Sequence, residues 1–247
     1  MGAVPARPSQ LQLGVDLDAL NGGDRRAVAR TAAAIGIATG TYGISFGVLS
    51  VAAGLSVAQT CAMSLLVFTG ASQFAVVGVL GAGGSTAAAI APALLLAGRN
   101  ALYGLSLVPV LRGRLGSRAL QSQLVIDETT AMARAQAEPA AAHFAFIATG
   151  ISVFVCWNAG TALGAVAGTG LANPSALGLD AMFPAAFLAL LAPQLRRPGA
   201  PAAAVAGAAI AIVLVPLTAA GIPVLASALG VFAGLAARRR APRRPET

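Results

Sequence analysis

The sequence predicts an all-α polytopic membrane protein with about seven transmembrane helices. Hydrophobic residues make up 57% of the 247 residues and charged residues only 10%, whereas a soluble domain of this length needs far more polar surface. The charges are also segregated, because Arg99 is the only charged residue between positions 31 and 111, and Asp180 is the only one between positions 139 and 195. About 20 helical residues cross the hydrocarbon core of a bilayer, and the uncharged runs reach that length.

The distribution of charge divides the chain into two polar tails and a transmembrane domain. The parts are a polar N-terminal tail (1–30), a transmembrane domain (31–237) and a basic C-terminal tail (238–247). The domain consists of a first half (about 31–111), a connecting loop (112–139), a second half (about 140–217) and a last helix (about 221–237).

The first apolar run carries a stripe of glycines. Gly36, Gly40, Gly43 and Gly47 recur every three or four residues and therefore share one face of a helix. In a membrane, such a stripe lets another helix approach backbone to backbone. Tight packing alone explains the stripe at least as well as a role in transport.

The second run, at about 57–80, contains an unusual polar segment, Phe68-Thr69-Gly70-Ala71-Ser72-Gln73-Phe74. Three of its polar side chains are spaced to share one helix face, while Gly70 weakens the helix beside them. Polar groups in such a run either bind a polar group of a substrate or hydrogen-bond to another helix. We favour substrate binding, and the candidates are Thr69, Gly70, Ala71, Ser72 and Gln73.

The third run carries Arg99 at its midpoint, with Tyr103 on the same face. An arginine at the centre of a membrane helix costs about 2.5–3.5 kcal/mol on insertion scales, so its guanidinium needs a partner or a water-filled cavity. Either Arg99 faces a translocation route and holds a carboxylate there, with Tyr103 beside it, or it pairs permanently with Asp180 or Asp127 and fixes the helix packing.

Further polar residues are candidates for binding or proton coupling. Asp180 precedes Pro184 by four residues, so its carbonyl lacks a helical partner. A carboxylate beside a free carbonyl suits an ammonium group or a transferable proton, whereas in a first helical turn at the membrane surface Asp180 is merely solvated. Asp127 and Glu128 are also proton-coupling candidates, with a solvated loop as the alternative. Asn158, in the middle of the fourth run, either binds substrate or supports packing.

A weak internal repeat links the two halves. Gly43–Gly47 and Gly160–Gly164 share their spacing, and each precedes an unusual segment in the next run, Phe68-Thr69-Gly70-Ala71 in the first half and Phe183-Pro184-Ala185-Ala186 in the second. Two three-helix halves with interruptions at matching positions predict an inverted repeat plus a last helix. Chance similarity between glycine- and alanine-rich helices is the alternative.

The arginines predict the orientation in the membrane. The connections after the third and fifth runs and the C-terminal tail are rich in arginine, which places the C-terminus in the cytoplasm. With seven crossings, the N-terminal tail would lie outside, although it carries arginines too. Either that tail is translocated or the 31–111 region makes one crossing more or fewer, so the side of the N-terminus stays open.

No pattern typical of an enzyme, a metal site or a nucleic-acid-binding protein occurs. The sequence lacks a Ser/His/Asp set, an HExxH motif and a P-loop, and its single histidine leaves no metal-ligand spacing. We therefore expect no enzymatic activity, no metal and no cofactor. The net charge of +8 comes from arginines that flank apolar runs, which is typical of loops facing anionic lipid.

These motifs together resemble the AzlC family over about residues 31–237. One departure is Arg99-Asn100, where the family often has arginine followed by histidine. If that position tunes proton coupling or substrate choice, this chain departs from the family in that property. The matching segments occur in family order: Gly43-Ile44-Ser45-Phe46-Gly47, Phe68 to Phe74, Arg99-Asn100-Ala101-Leu102-Tyr103, Ile126-Asp127-Glu128-Thr129, and Gly178-Leu179-Asp180 with Phe183-Pro184.

The resemblance implies the large subunit of a bacterial branched-chain amino acid exporter in the inner membrane. The implied substrates are leucine, isoleucine and valine, and in some members methionine, exchanged for protons. A small AzlD-type membrane subunit of about four helices is the implied partner. Such a substrate needs a carboxylate holder (Arg99 or the amides near Gly70), an ammonium holder (Asp180 or freed carbonyls) and an apolar pocket. The competing hypothesis is a non-coupled, channel-like or structural membrane subunit for another small zwitterionic or apolar solute.

Overall fold

A computed structural model describes residues 25–170, 188, 191–192, 194–219 and 221–240. All regular structure in these residues is helical, which confirms the all-α prediction. The helices are α1 (Arg25–Ala52), α2 (Val57–Leu66), α3 (Ala71–Gly81), α4 (Thr86–Leu107), α5 (Leu115–Ser122), α6 (Asp127–Arg134), α7 (Pro139–Thr169), α8 (Ala200–Leu214), α9 (Ile222–Ser227) and α10 (Gly230–Arg240), with a short 3-10 helix at Gln194–Arg196.

Within the described ranges, four helical segments are long and apolar enough to cross a membrane. They are α1, α4, α7 and the Ile222–Arg239 segment of α9 and α10. The predicted run at about 57–80 is instead divided into α2 and α3, which, like α8, are shorter than a span. The predicted fifth run lies largely outside the described residues, and so do Asp180 and Pro184. The seven-span layout is therefore not confirmed.

The interruption between α2 and α3 follows from the local sequence, and we call residues 67–70 the helix break. At the start of α2, the Ser56 hydroxyl accepts the Gln59 N–H at 3.2 Å, while the Gln59 side chain accepts the Ser56 N–H at 2.8 Å. The break ends at Gly70, whose φ of 59° is left-handed and costs little only for glycine. The predicted weakening of the helix at Gly70 is confirmed.

Helices α1 and α7 pack against each other and run in the same direction. Along α1, Gly40 faces Cys156 and Gly43 faces Trp157, so both chains advance together. A Cβ added at Gly43 would lie 2.6 Å from the carbonyl oxygen of Trp157. The glycine stripe is therefore a backbone-to-backbone interface, as its spacing predicts.

The contacts between α1 and α7 are reciprocal. Gly43 of α1 contacts Trp157, which lies three residues before Gly160 in α7. In the same way, Gly160 of α7 contacts Gly40, which lies three residues before Gly43 in α1. A two-fold axis parallel to the two helices produces this pattern. An inverted repeat would make the equivalent helices antiparallel. The two glycine motifs thus occupy matching positions in α1 and α7. However, the two helices are parallel, so the prediction that an inverted repeat relates them is wrong for α1 and α7.

Three helix ends meet at one end of the bundle, which we call the arginine end after Arg25 and Arg112. The guanidinium of Arg25, at the start of α1, lies 5.4 Å from the ring centroid of Phe144 near the start of α7. Just beyond α4, the carbonyl of Val110 is 2.9 Å from Nδ1 of His143, also near the start of α7. Hence α1 and α7 begin where α4 ends.

The α2–α3 pair returns to the end of the bundle from which it enters. Ser64 of α2 donates a 3.2 Å hydrogen bond to Thr161 of α7, and Phe68 at the break packs on Phe154, earlier in α7, so α2 runs antiparallel to α7. It starts at the end opposite the arginine end. Because α4 also starts there and follows α3 after a short turn, α3 runs back. The chain therefore turns round at the helix break.

Candidate functional site

A cavity of about 350 Å³ lies where the helix break meets α1, α4, α6 and α7. Its volume is toward the lower end of the range for small-molecule sites. Most of the predicted site residues line it, although they come from separate parts of the sequence. The lining residues are Thr39, Tyr42, Phe68, Thr69, Gly70, Ala71, Phe74, Arg99, Tyr103, Ile126, Asp127, Glu128, Val153, Trp157, Gln194 and Arg197.

Gln73 supports the helix break and does not line the cavity. Its side chain is fully buried, its Oε1 accepts the Gly70 N–H at 3.0 Å, and its Nε2 donates to the Met63 carbonyl at 3.3 Å. Ser72 is also buried, and its hydroxyl is hydrogen-bonded to the Thr69 hydroxyl. Of the two roles considered for this polar face, the geometry of Gln73 and Ser72 favours internal hydrogen bonding.

Two helix N-termini reach the cavity, at Ala71 of α3 and at Asp127 of α6. The first amides of a helix lack intrahelical acceptors, and the helix dipole favours negative charge beside them. At α6, Asp127 and Glu128 supply that charge from within the helix. The first turn of α3 contains no acidic residue, so it can receive a carboxylate from a ligand.

The position of α6 is fixed by a short hydrogen-bonded turn before it. The Thr129 hydroxyl accepts the Ile126 N–H at 3.1 Å and donates to the Leu124 carbonyl at 2.7 Å. Ile126 is buried in the same apolar cluster as Phe68. This packing brings the acidic start of α6 to the helix break.

Arg99 forms an ion pair with Asp127 on the cavity wall. The Nη2 and Oδ1 atoms are 3.5 Å apart, and the two side chains are 37% and 47% exposed. The structure thus combines the two interpretations of Arg99, because it has a carboxylate partner and also lines a cavity. Exposed ion pairs contribute at most about 1 kcal/mol, so a ligand carboxylate can replace Asp127 at small cost. Asp180 lies outside the described residues.

Among the residues that line the cavity, Glu128 has a raised pKa. It is half-buried in the connection between α4 and α7. Burial disfavours its charged form and the adjacent Asp127 carboxylate repels it, so the pKa of Glu128 is raised from 4.5 to about 7, against a smaller lowering by Arg99. Glu128 therefore gains or loses a proton near neutral pH.

The cavity is also lined by a group of buried apolar side chains, which we call the apolar wall: Phe68, Phe74, Val153 and Trp157. All of them belong to one hydrophobic cluster. Phe46 lies behind the wall, with ring centroids 5.6 Å from Phe74 and 5.9 Å from Trp157. The indole N–H of Trp157 is buried without a hydrogen-bond partner among the described residues. The lining of the cavity thus includes both charged and apolar side chains.

Asn158 does not line the cavity, so of its two predicted roles the structure favours packing over substrate binding. Its Nδ2 donates to the Phe154 carbonyl at 2.8 Å, one turn earlier in α7. Conversely, Thr39, Tyr42 and Arg197 line the cavity although sequence reasoning did not select them. They lie far from the polar segment in sequence, and their types carry no spacing signal. Trp157 is the one tryptophan of the sequence and precedes Asn158, and this signal could have predicted that the apolar wall includes this part of α7.

The family model described as AzlC protein matches residues 34–171. This range runs from within α1 to just beyond α7 and includes the cavity lining apart from Gln194 and Arg197. Inner membrane protein YgaZ of Escherichia coli (strain K12) is 30% identical over 167 residues, which cover 62% of this chain and 66% of that protein's length. No solved structure gives a significant match.

Proposed function

The chain belongs to the AzlC family, and from this premise we propose that it is the large subunit of a secondary transporter that exports branched-chain amino acids in exchange for protons. The proposed substrates are leucine, isoleucine and valine, with methionine as a further candidate, and the proposed partner is a small AzlD-type membrane subunit. Four apolar spans among the described residues and the inner-membrane relative support a multi-pass protein of the inner membrane.

The observation that carries the proposal is that charged and apolar side chains line the same cavity. A branched-chain amino acid has a carboxylate, an ammonium group and a short apolar side chain. Arg99 and the N-terminus of α3 provide positive charge for the carboxylate. Asp127 and Glu128 provide negative charge for the ammonium group, and the apolar wall faces the side chain. One zwitterion with an apolar side chain thereby matches both kinds of lining residue.

The position of Glu128 beside the proposed ammonium site supports proton exchange. A bound ammonium group stabilises the Glu128 carboxylate and so favours release of its proton. Conversely, a proton on Glu128 removes the charge that attracts the ammonium group. Substrate and proton therefore compete for the same carboxylate, which is the condition for exchange in opposite directions.

The proposal is tested with proteoliposomes that contain the protein with and without an AzlD-type subunit. We expect efflux of labelled leucine to increase when protons enter as leucine leaves. Arg99→Gln is expected to abolish transport while the protein still inserts, because it removes the charge that holds the carboxylate. Efflux indifferent to the pH gradient would instead support the non-coupled channel, and absence of any amino acid efflux with the partner present would reject the exporter.

We also propose that the arginine end faces the cytoplasm. Arg25 and Arg112 lie there, in the positively charged flanks that favour the cytoplasmic side. Gly221, just before α9, contacts Ala88 at the opposite end of the bundle, so the Ile222–Arg239 span leads back to the arginine end. With a returning α2–α3 pair, the start of α1 and the end of α10 lie on the same side. In the proposed orientation, the arginines at the start of α1 and those that follow α4 lie on the same side, as their charge favours.

The surface of α4 supports a membrane-embedded partner or lipid contact. Leu94, Leu102 and Leu105 are 65%, 68% and 71% exposed in the isolated chain. An aliphatic surface of this kind is unsuited to water and suited to the bilayer or another apolar helix. Co-purification of an epitope-tagged AzlD-type subunit with this chain tests the assignment of the partner.

A further inference from the structure

We infer that the apolar wall selects which amino acid side chains are transported, and that Val153 is its specificity-determining residue. This inference rests on the proposed function, because it assigns the selectivity of that same cavity. Val153 is 2% exposed, belongs to the cluster that forms the wall, and lines the cavity from α7. Trp157 lies one turn later on the same helix face.

The wall is braced from behind and cannot recede to admit a larger side chain. Phe154 packs edge-on against Phe68, with ring centroids 5.1 Å apart. Phe74 packs edge-on against Trp157 at 6.1 Å, and Phe46 covers both. Close-packed aromatic groups resist displacement, so the volume beside them is set by the side chains present.

The helix that carries Val153 is held in place as well. The backbone of α7 at Trp157 lies against Gly43 of α1, without room for a Cβ between them. Retreat of α7 would require displacement of α1. A β-branched valine also has few rotamers available, so Val153 presents a fixed surface to the cavity. Because of these features, Val153 limits the size of the substrate side chain that fits in the cavity.

The size of the expected effect follows from pockets that discriminate by one methylene group, which reach about 10- to 200-fold. Val153→Ala removes two methyl groups from the wall and should raise transport of methionine and phenylalanine relative to valine by about tenfold. Val153→Ile adds one carbon and should lower transport of leucine relative to valine by a similar factor. Each ratio is measured as initial efflux from proteoliposomes loaded with paired labelled amino acids.

Val155 provides the matched control, because it is a valine of the same helix but is 57% exposed on the outer surface. Val155→Ala should leave all ratios as in the wild type. If Val153→Ala does not fold, the inference is tested by Val153→Ile alone, because this variant is predicted to disfavour the larger substrates and not to favour them. Wild-type ratios in the Val153 variants would overturn the inference while leaving the exporter intact. A wild-type protein that moves none of these amino acids would reject the proposed function itself.

Discussion

At the scale of single residues, the side chain of Gln73 joins the two helices that flank the helix break. Gln73→Leu removes both of its hydrogen bonds and leaves the Gly70 N–H without an acceptor, whereas the Met63 carbonyl still accepts the Val67 N–H at 2.9 Å. Each buried polar group left unsatisfied costs about 1–3 kcal/mol. We expect a lower thermal unfolding temperature in detergent and little transport. Gln73→Glu, which keeps an acceptor for Gly70, should be less affected, and wild-type stability of Gln73→Leu would contradict this role.

Glu128 gives the site a pH dependence with a defined sign. Its pKa is raised to about 7, so the folded protein favours the neutral carboxyl. This contribution to stability is present below pH 4.5 and is lost as the pH rises through about 7. For transport, the proposed ammonium site gains the negative charge of Glu128 as the pH rises over the same range, so the apparent affinity for leucine should increase.

Glu128→Gln is expected to abolish this pH dependence, because glutamine does not titrate. The measurement is the apparent KM for leucine efflux between pH 5 and 8. Asp127→Asn is a useful comparison, since it removes the repulsion that raises the pKa of Glu128 and also frees Arg99 of its partner. An unchanged KM profile in Glu128→Gln would exclude Glu128 as the coupling residue.

At the scale of elements, the α1–α7 interface depends on the absence of side chains. Gly43→Ala places a Cβ 2.6 Å from the Trp157 carbonyl oxygen, and overpacking of this kind costs about 1–3 kcal/mol. We expect a lower unfolding temperature. Gly104→Ala in α4 is the control, because nothing lies within 4 Å of its Cβ and alanine favours the helix. Equal stability of the two variants would contradict a close-packed interface.

Local sequence signals predicted the elements better than their directions. The spacing of Gly40 and Gly43 predicted a close helix contact, and Gly70 predicted the interruption, because both depend on neighbouring residues. Hydropathy over 57–80 could not show that the chain turns back, since a crossing helix and a returning pair have the same apolar composition. The sequence offered Asp127 and Asp180 as alternative partners of Arg99. The ion pair with Asp127 could not be predicted from sequence, because it depends on the packing of α6 against α4.

At the scale of the whole molecule, the returning α2–α3 pair can be tested by labelling. In a variant without Cys61 and Cys156, single cysteines replace Ala52, Ala82 or Ala119. Because α2–α3 returns, the cysteines at 52 and 82 should react with an impermeant maleimide from the same side, outside the cell. The cysteine at 119, near the arginine end, should react only from the cytoplasmic side.

A result with the cysteines at 52 and 82 on opposite sides would show that α2–α3 crosses the membrane. Labelling at 119 from outside would reverse the proposed orientation without affecting the returning pair. The two structural statements are therefore tested separately by one set of variants. Reaction after the membrane is permeabilised shows that each cysteine is accessible.

The reciprocal contacts of Gly43 and Gly160 give α1 and α7 the symmetry of two subunits that meet through the same surface. Each helix presents glycines to the other and faces the backbone of the other at matching positions. A side chain added at Gly160 therefore meets the backbone of α1 as closely as one added at Gly43 meets the backbone of α7. The interface is thus equally sensitive to substitution from both of its helices.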